Sequence, residues 1–163
     1  MTAPRARPAT RPKALKRKVF AYVTHQDYLG QRLLIFSHPR APAAGLQVPA
    51  GTVEGGESLE AAVMREAREE TGLTDLLLVG FLGEQLRDMA DVGRWEVHQR
   101  YFFHLRCLGD PPPTWRQVER FGSEARPGVE PPLFEFFWVR LPHEVPELTT
   151  DHGYFVPALI ERL

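Results

Sequence analysis

Residues Gly51–Leu73 read GTVEGGESLEAAVMREAREETGL, a glycine-rich turn and a short helix that between them carry Glu57, Glu66, Glu69 and Glu70, with Arg65 and Arg68 interspersed. Ser58 is suited to cap the start of the helix and Gly72 to end it. On a wheel of about 100° per residue with Leu59 at zero, Leu59, Ala62, Val63 and Ala67 form an apolar arc centred near about 15°. Glu66 and Glu70 fall at about 340° and 20°, inside that arc, and Glu69 at its edge near about 280°. A solvated helix would place its acids opposite the apolar stripe, because a buried carboxylate is costly unless paired or bound to a cation. Acids at i, i+3 and i+4 on the inward side suit a hard cation such as Mg²⁺; alternatively, the last turn leaves the core and its glutamates are solvated. Wheel phase alone leaves both readings open.

The spacing of the whole stretch adds a second line. Gly51, Glu57, Arg65, Glu66, Ala67, Glu69, Glu70, Gly72 and Leu73 follow the order Gly, five residues, Glu, seven residues, Arg-Glu, apolar, any, Glu-Glu, any, Gly, apolar. This resembles the Nudix box, and Ala67 departs from it only in being smaller than the usual Ile, Leu or Val. The resemblance implies an α/β fold, a Nudix-type α/β/α sandwich with a mixed β-sheet between helices. It also implies Mg²⁺-dependent cleavage of a phosphoanhydride bond, with Mn²⁺ as an alternative ion. It assigns Glu66, Glu69 and Glu70 as central metal ligands, Gly51 as a main-chain ligand, and Glu57 as a further ligand or an anchor. Arg65 would orient the acids through charge-assisted hydrogen bonds, or it is a surface arginine paired with Glu69 one turn away. The general base is either a box glutamate, most naturally Glu66, or a glutamate of a late loop, for which Glu119, Glu124 and Glu130 are candidates.

Outside the box, 163 residues suit one domain with a sizeable core. The single cysteine, Cys107, excludes an internal disulfide and a zinc cluster, and it fits a reducing, cytoplasmic setting. No apolar run approaches the ~20 residues of a membrane helix. Net charge is −1 but unevenly placed: residues 1–18 hold seven basic residues and no acid, leaving 13 basic and 21 acidic residues, a net of −8, for residues 19–163. An acidic body argues against a general nucleic-acid binder, and the expected partner is a small nucleotide. The oligomeric state stays open, a homodimer included.

Residues 1–18 are proline-broken and basic, and are expected to be a disordered tail ahead of a domain spanning 19–163. The same stretch also fits a transit peptide or a weak contact to RNA. Residues 19–37 suggest a hairpin turning at Asp27–Gly30, 45–49 a short strand, and 76–85 and 95–108 two more strands. In the last of these, Val97, Gln99, Tyr101, Phe103, Leu105 and Cys107 share one face; His98, Arg100, His104 and Arg106 share the other, expected to face solvent. Residues 109–132 read as a long proline-rich loop, 133–140 as a strand and 154–163 as a closing helix.

The resemblance to the Nudix box implies hydrolysis at a nucleoside diphosphate linked to another moiety, as in a nucleoside triphosphate, nucleotide sugar or dinucleotide. A non-catalytic nucleotide-binding regulator and an RNA 5′-end pyrophosphohydrolase are the alternatives. Tyr28, Trp95, Trp115 and Phe121 are candidates to stack on a base, and Arg40, Arg100, Arg116 and Arg126 to meet phosphate. The leaving group is not readable from these residues.

Overall fold

A computed structural model describes residues 10–119 and 128–163. Its central strand, β1 (Ala14–Asp27), runs from within the expected tail: residues 14–18 are strand, so the ordered chain begins earlier than position 19. The reason is pairing. From Ala14 to Thr24, β1 lies parallel to β5 (Glu96–Cys107), which supplies ladder partners for a stretch whose own side chains are basic. Arg11 and Lys13 are docked as well, the Arg11 carbonyl accepting from Trp95 Nε1 at 2.7 Å and the Lys13 ammonium lying 4.5 Å from the Trp95 ring centre.

The other edge of β1 is divided. Thr24–Asp27 pair with β2 (Gly30–Ser37) across a two-residue turn, as the sequence suggests, and Lys18–Phe20 pair with β3 (Ala50–Thr52). The sheet therefore forks. One branch continues from β2 through β7 (Leu133–Arg140) to β6 (Thr114–Val118); the other is β3 alone. On the far side, β4 (Leu76–Asp88) lies antiparallel to β5, giving the seven-stranded order β4-β5-β1-β2-β7-β6 with β3 beside β1. Among the described residues only the β1–β5 pair is parallel, so the sheet is mixed as expected.

Two expectations about the strands need correction. The strand expected at 45–49 is reduced to a single bridge between Gln47 and Phe36, and the paired segment is β3, inside the box. Within the expected loop 109–132, Thr114–Val118 form β6, because Trp115 packs its ring on Phe136 at 5.2 Å and its indole N–H donates to the Thr71 carbonyl at 2.8 Å.

Helix α1 (Leu59–Thr71) covers one face of the sheet. Ser58 Oγ accepts from the Ala61 amide at 3.1 Å, and Gly72 ends the helix with φ 75°, a left-handed conformation that glycine adopts without strain. Ala62, Val63 and Ala67 meet Val19, Ala21, Val23, Tyr101, Phe103 and Leu105. The opposite face carries Phe20, Tyr22, Phe102, Leu33 and Ile35 under a short C-terminal helix, α2 (Val156–Glu161). Both faces being covered is why β1 is buried without interruption from Phe20 to Thr24. It also overturns the expected solvent face of β5: His98, Arg100 and His104 are buried, and only Arg106 is exposed. His104 is met from within, its Nε2 lying 2.7 Å from Thr24 Oγ1. Tyr22 ties the C-terminal segment down, its hydroxyl donating to the His152 carbonyl at 2.6 Å and accepting from the Phe155 amide at 3.1 Å.

Candidate active site

The fork at β1 opens into a cleft of about 1110 Å³ that draws its walls from both branches and from α1. Glu66, Glu69 and Glu70 line it from the helix, Gly51 and Thr52 from β3, and Phe36 and Phe134 from the other branch.

Arg65 organises the carboxylates. Its Nε and Nη2 donate to the two oxygens of Glu57 at 2.7 and 2.9 Å, a bidentate grip, while Nη1 donates to Glu66 Oε1 at 2.8 Å and Glu69 Oε2 at 3.2 Å. Nη2 also donates to the Thr52 carbonyl at 3.0 Å, fastening the helix to β3. Arg65 thus contacts Glu57, Glu66 and Glu69 at once, and the i+4 pair with Glu69 is one part of that set. Glu57 is held down to about 2 by those hydrogen bonds.

Glu66 and Glu70 are displaced the other way. Burial pushes the Glu66 carboxyl up, opposed by Arg65 and reinforced by Glu69. Burial raises Glu70 further, with Glu119 and Glu66 adding to it and the Ala50 amide opposing. Glu66 and Glu70, both disfavoured as anions by burial, line the cleft together with Glu69, and their oxygens make a donor set suited to a hard divalent cation. Gly51 supports the same reading: a Cβ there would lie 1.9 Å from Glu66 Cδ, so the strand backbone and the carboxylate are in direct contact. In the arrangement described, Arg65 holds Glu57, Glu66 and Glu69, and no three His, Cys, Asp or Glu side chains among the described residues are grouped tightly enough to enclose an ion ready-made.

The other expected residues divide. Glu119 and Glu130 line the cleft, Glu130 paired with Arg40 at 2.9 Å, whereas Glu124 lies outside the described residues. Of the phosphate candidates, Arg40 reaches the cleft, Arg116 pairs with Glu135 at the surface, and Arg126 is outside the described residues. Of the stacking candidates, Trp115 is packed on Phe136, Tyr28 is fully out at the β1–β2 turn, Trp95 covers residues 11–13, and Phe121 is outside the described residues. The aromatics that line the cleft are Phe36 and Phe134, joined by His38, Lys16 and Lys18. Lys16 and Lys18 went unread because their segment looked like a tail; their alternate spacing was the available signal.

A model of the NUDIX domain matches residues 14–159. The chain belongs to the Nudix family. An RNA pyrophosphohydrolase from Caulobacter vibrioides is 33% identical over 92 residues, 51% of each chain, so the chain spans about half the length of that curated relative. Among solved structures, the NUDIX domain of Shewanella oneidensis NrtR complexed with ADP ribose covers 99% of both chains at TM-score 0.60 and 18% identity. A Francisella tularensis bifunctional NMN adenylyltransferase/ADP ribose pyrophosphatase, complexed with AMP and a manganese ion, covers 92% of this chain and 42% of its own at TM-score 0.53 and 19% identity. These likenesses establish a Nudix-type α/β fold with a mixed sheet. No helix among the described residues is long and apolar enough to cross a membrane.

Proposed function

We propose that this Nudix domain is a Mg²⁺-dependent pyrophosphohydrolase that cuts a phosphoanhydride bond in a nucleoside diphosphate linked to another moiety. The observation that carries this is the Arg65 grip on Glu57, Glu66 and Glu69 beside a cleft in which burial, with Glu119 and Glu66 nearby, disfavours the Glu70 carboxylate as an anion. Glu66, Glu69 and Glu70 would hold the ion, with Gly51 contributing its main chain and Glu57 as a further ligand or anchor. When bound, Mg²⁺ or Mn²⁺ supplies charge neutralisation for the phosphoryl oxygens and acidifies its bound water.

The chain's own residues do the rest. Arg65 fixes the carboxylate directions, and Lys16, Lys18 and Arg40 draw the phosphates into the cleft. Glu66, whose buried carboxyl is already pushed up toward proton affinity, takes a proton from the attacking water as the anhydride P–O bond breaks. Glu119, close enough to act electrostatically on Glu70, is the late-segment alternative for that role. The test is a panel of nucleoside triphosphates, dinucleotides, nucleotide sugars and coenzyme A with Mg²⁺, products identified by mass. Cleavage between phosphorus atoms supports the reading, and binding without turnover favours a non-catalytic regulator.

RNA 5′-end pyrophosphohydrolysis is a second reading, favoured by the Caulobacter relative and by Lys16 and Lys18 in the cleft wall. Comparing 5′-triphosphorylated RNA with free triphosphate separates it from the first. Any truncation in that comparison has to stop before residue 10, because residues 10–18 are docked or paired.

A further inference from the structure

A second cavity, of about 450 Å³, adjoins the cleft and shares Lys18, Gln47, Gly51 and Arg94 with it. Its other walls include His98, Arg100, Thr150 and His152. The contrast in charge is complete: six glutamates line the first cleft, whereas no carboxylate is among the described residues lining the second.

Arg100 is only 1% exposed. Its Nη1 donates to the Thr150 carbonyl at 2.5 Å, its Nη2 meets the Met89 sulfur at 3.5 Å, and the guanidinium lies 4.8 Å from the Phe20 ring centre. Nε has no acceptor. Asp91 and Asp151 act on Arg100 only at a distance, and both are engaged by Arg87 at 2.9 and 3.2 Å. Burial lowers Arg100 to about 10. An arginine that merely braced the sheet would present its fork to a carboxylate; this one has a carbonyl, a thioether and an unfilled donor, a costly state for a buried charge.

Two residues earlier on the same face of β5, His98 is buried and holds a second unfilled atom, Nδ1. Glu96 Oε1 lies 2.8 Å from His98 Nε2, which fixes the proton there and leaves Nδ1 as an acceptor. The facing wall is stiff. Thr150 and Asp151 sit at φ 45° and 61°, left-handed values strained for residues other than glycine, and His152 Nδ1 accepts from the Val48 amide at 3.1 Å.

We propose that this cavity is an anion subsite that receives a phosphate monoester of the substrate, distinct from the two phosphates joined by the cleaved bond. The phosphate oxygens take the Lys18 ammonium. A small rotation of the Arg100 and His98 side chains, whose Nε and Nδ1 are closed off in this structure, brings the Nε–H to a phosphate oxygen and Nδ1 to the P–OH. Calling the ligand a substrate group rests on the hydrolase reading; the existence of the subsite does not.

The probe is inorganic phosphate, titrated in EDTA into the full chain and followed in ¹H–¹⁵N spectra. The expected result is saturable shifts at Arg100, His98 and Thr150. Arg100→Met should weaken that binding about tenfold or more, while Glu69→Gln, in the acidic cleft, should keep it within about twofold. Where Arg100→Met fails to fold, the wild-type shift map decides alone. Shifts that do not saturate, or that fall only at Lys16 and Arg40, overturn the subsite. In turnover, the ratio of kcat/KM for substrates carrying an additional phosphate monoester to the same substrates lacking it should fall about tenfold in Arg100→Met, and an unchanged ratio overturns the substrate assignment. Because the titration contains no metal and no reaction, a failure of the hydrolase reading leaves its outcome intact.

Discussion

The Glu66 carboxylate rests directly on the α-carbon of Gly51: a methyl group placed there would stand 1.9 Å from Glu66 Cδ and 2.1 Å from Oε2. Both atoms sets are held in place, β3 by its pairing with β1 and Glu66 by Arg65. Gly51→Ala therefore has to displace Glu66 rather than the strand. A shift of about 1 Å in a catalytic group costs on the order of 10²-fold, and that drop in kcat is expected with an unchanged circular dichroism spectrum. A variant with wild-type kcat would show that Glu66 need not hold this position.

Arg65→Lys keeps a positive charge but loses the fork that grips Glu57 by two bonds while reaching Glu66, Glu69 and the Thr52 carbonyl. Activity should fall about 10- to 100-fold, as for other groups that orient metal ligands, and the Mg²⁺ concentration giving half-maximal rate should rise. Steady-state rates over a Mg²⁺ titration check both.

Tyr22→Phe removes one hydroxyl that both donates to the His152 carbonyl and accepts from the Phe155 amide. Leaving buried partners unmet should lower stability by about 1–3 kcal/mol in urea unfolding. The loss should appear first as faster amide exchange in residues 152–163, since this bond fastens that segment to β1.

Acid should weaken the fold through its buried histidines. Burial lowers His152 to about 3 and His104 to about 4, below the ordinary value of 6.5. Between those values the unfolded chain binds more protons, so this contribution is fully present above about pH 6.5 and is lost as pH falls toward 4 and below. Glu70, raised by burial, acts in the opposite sense, so the comparison is made against His152→Gln at each pH. The urea midpoint of the wild type should fall more steeply from pH 7 to pH 5 than that of the variant, and parallel curves would contradict the assignment.

Much of this was legible beforehand because its causes are local. The caps at Ser58 and Gly72, the inward phase of Glu66 and Glu70, and the turn after Asp27 depend on residues a few positions apart. What the sequence hid depends on distant partners. Lys16 and Lys18 look like tail until β5 pairs beside them, and Trp115 looks like loop until Phe136 and Thr71 receive it. His98 and Arg100 alternate as a solvent face should, and only the C-terminal segment, some 50 residues away, buries them. Periodicity reports which residues share a face; it does not report what covers that face.

Glu69→Gln and Glu70→Gln test most directly whether the acids of α1 perform Mg²⁺-dependent phosphoanhydride cleavage. Each exchange keeps side-chain volume and removes one negative charge, and at Glu70 it also relieves a carboxyl that burial already disfavours as an anion. On the best substrate from the nucleotide panel, both variants should fold as the wild type does and lose nearly all Mg²⁺-dependent turnover. Full Mg²⁺-dependent activity in both would contradict the account.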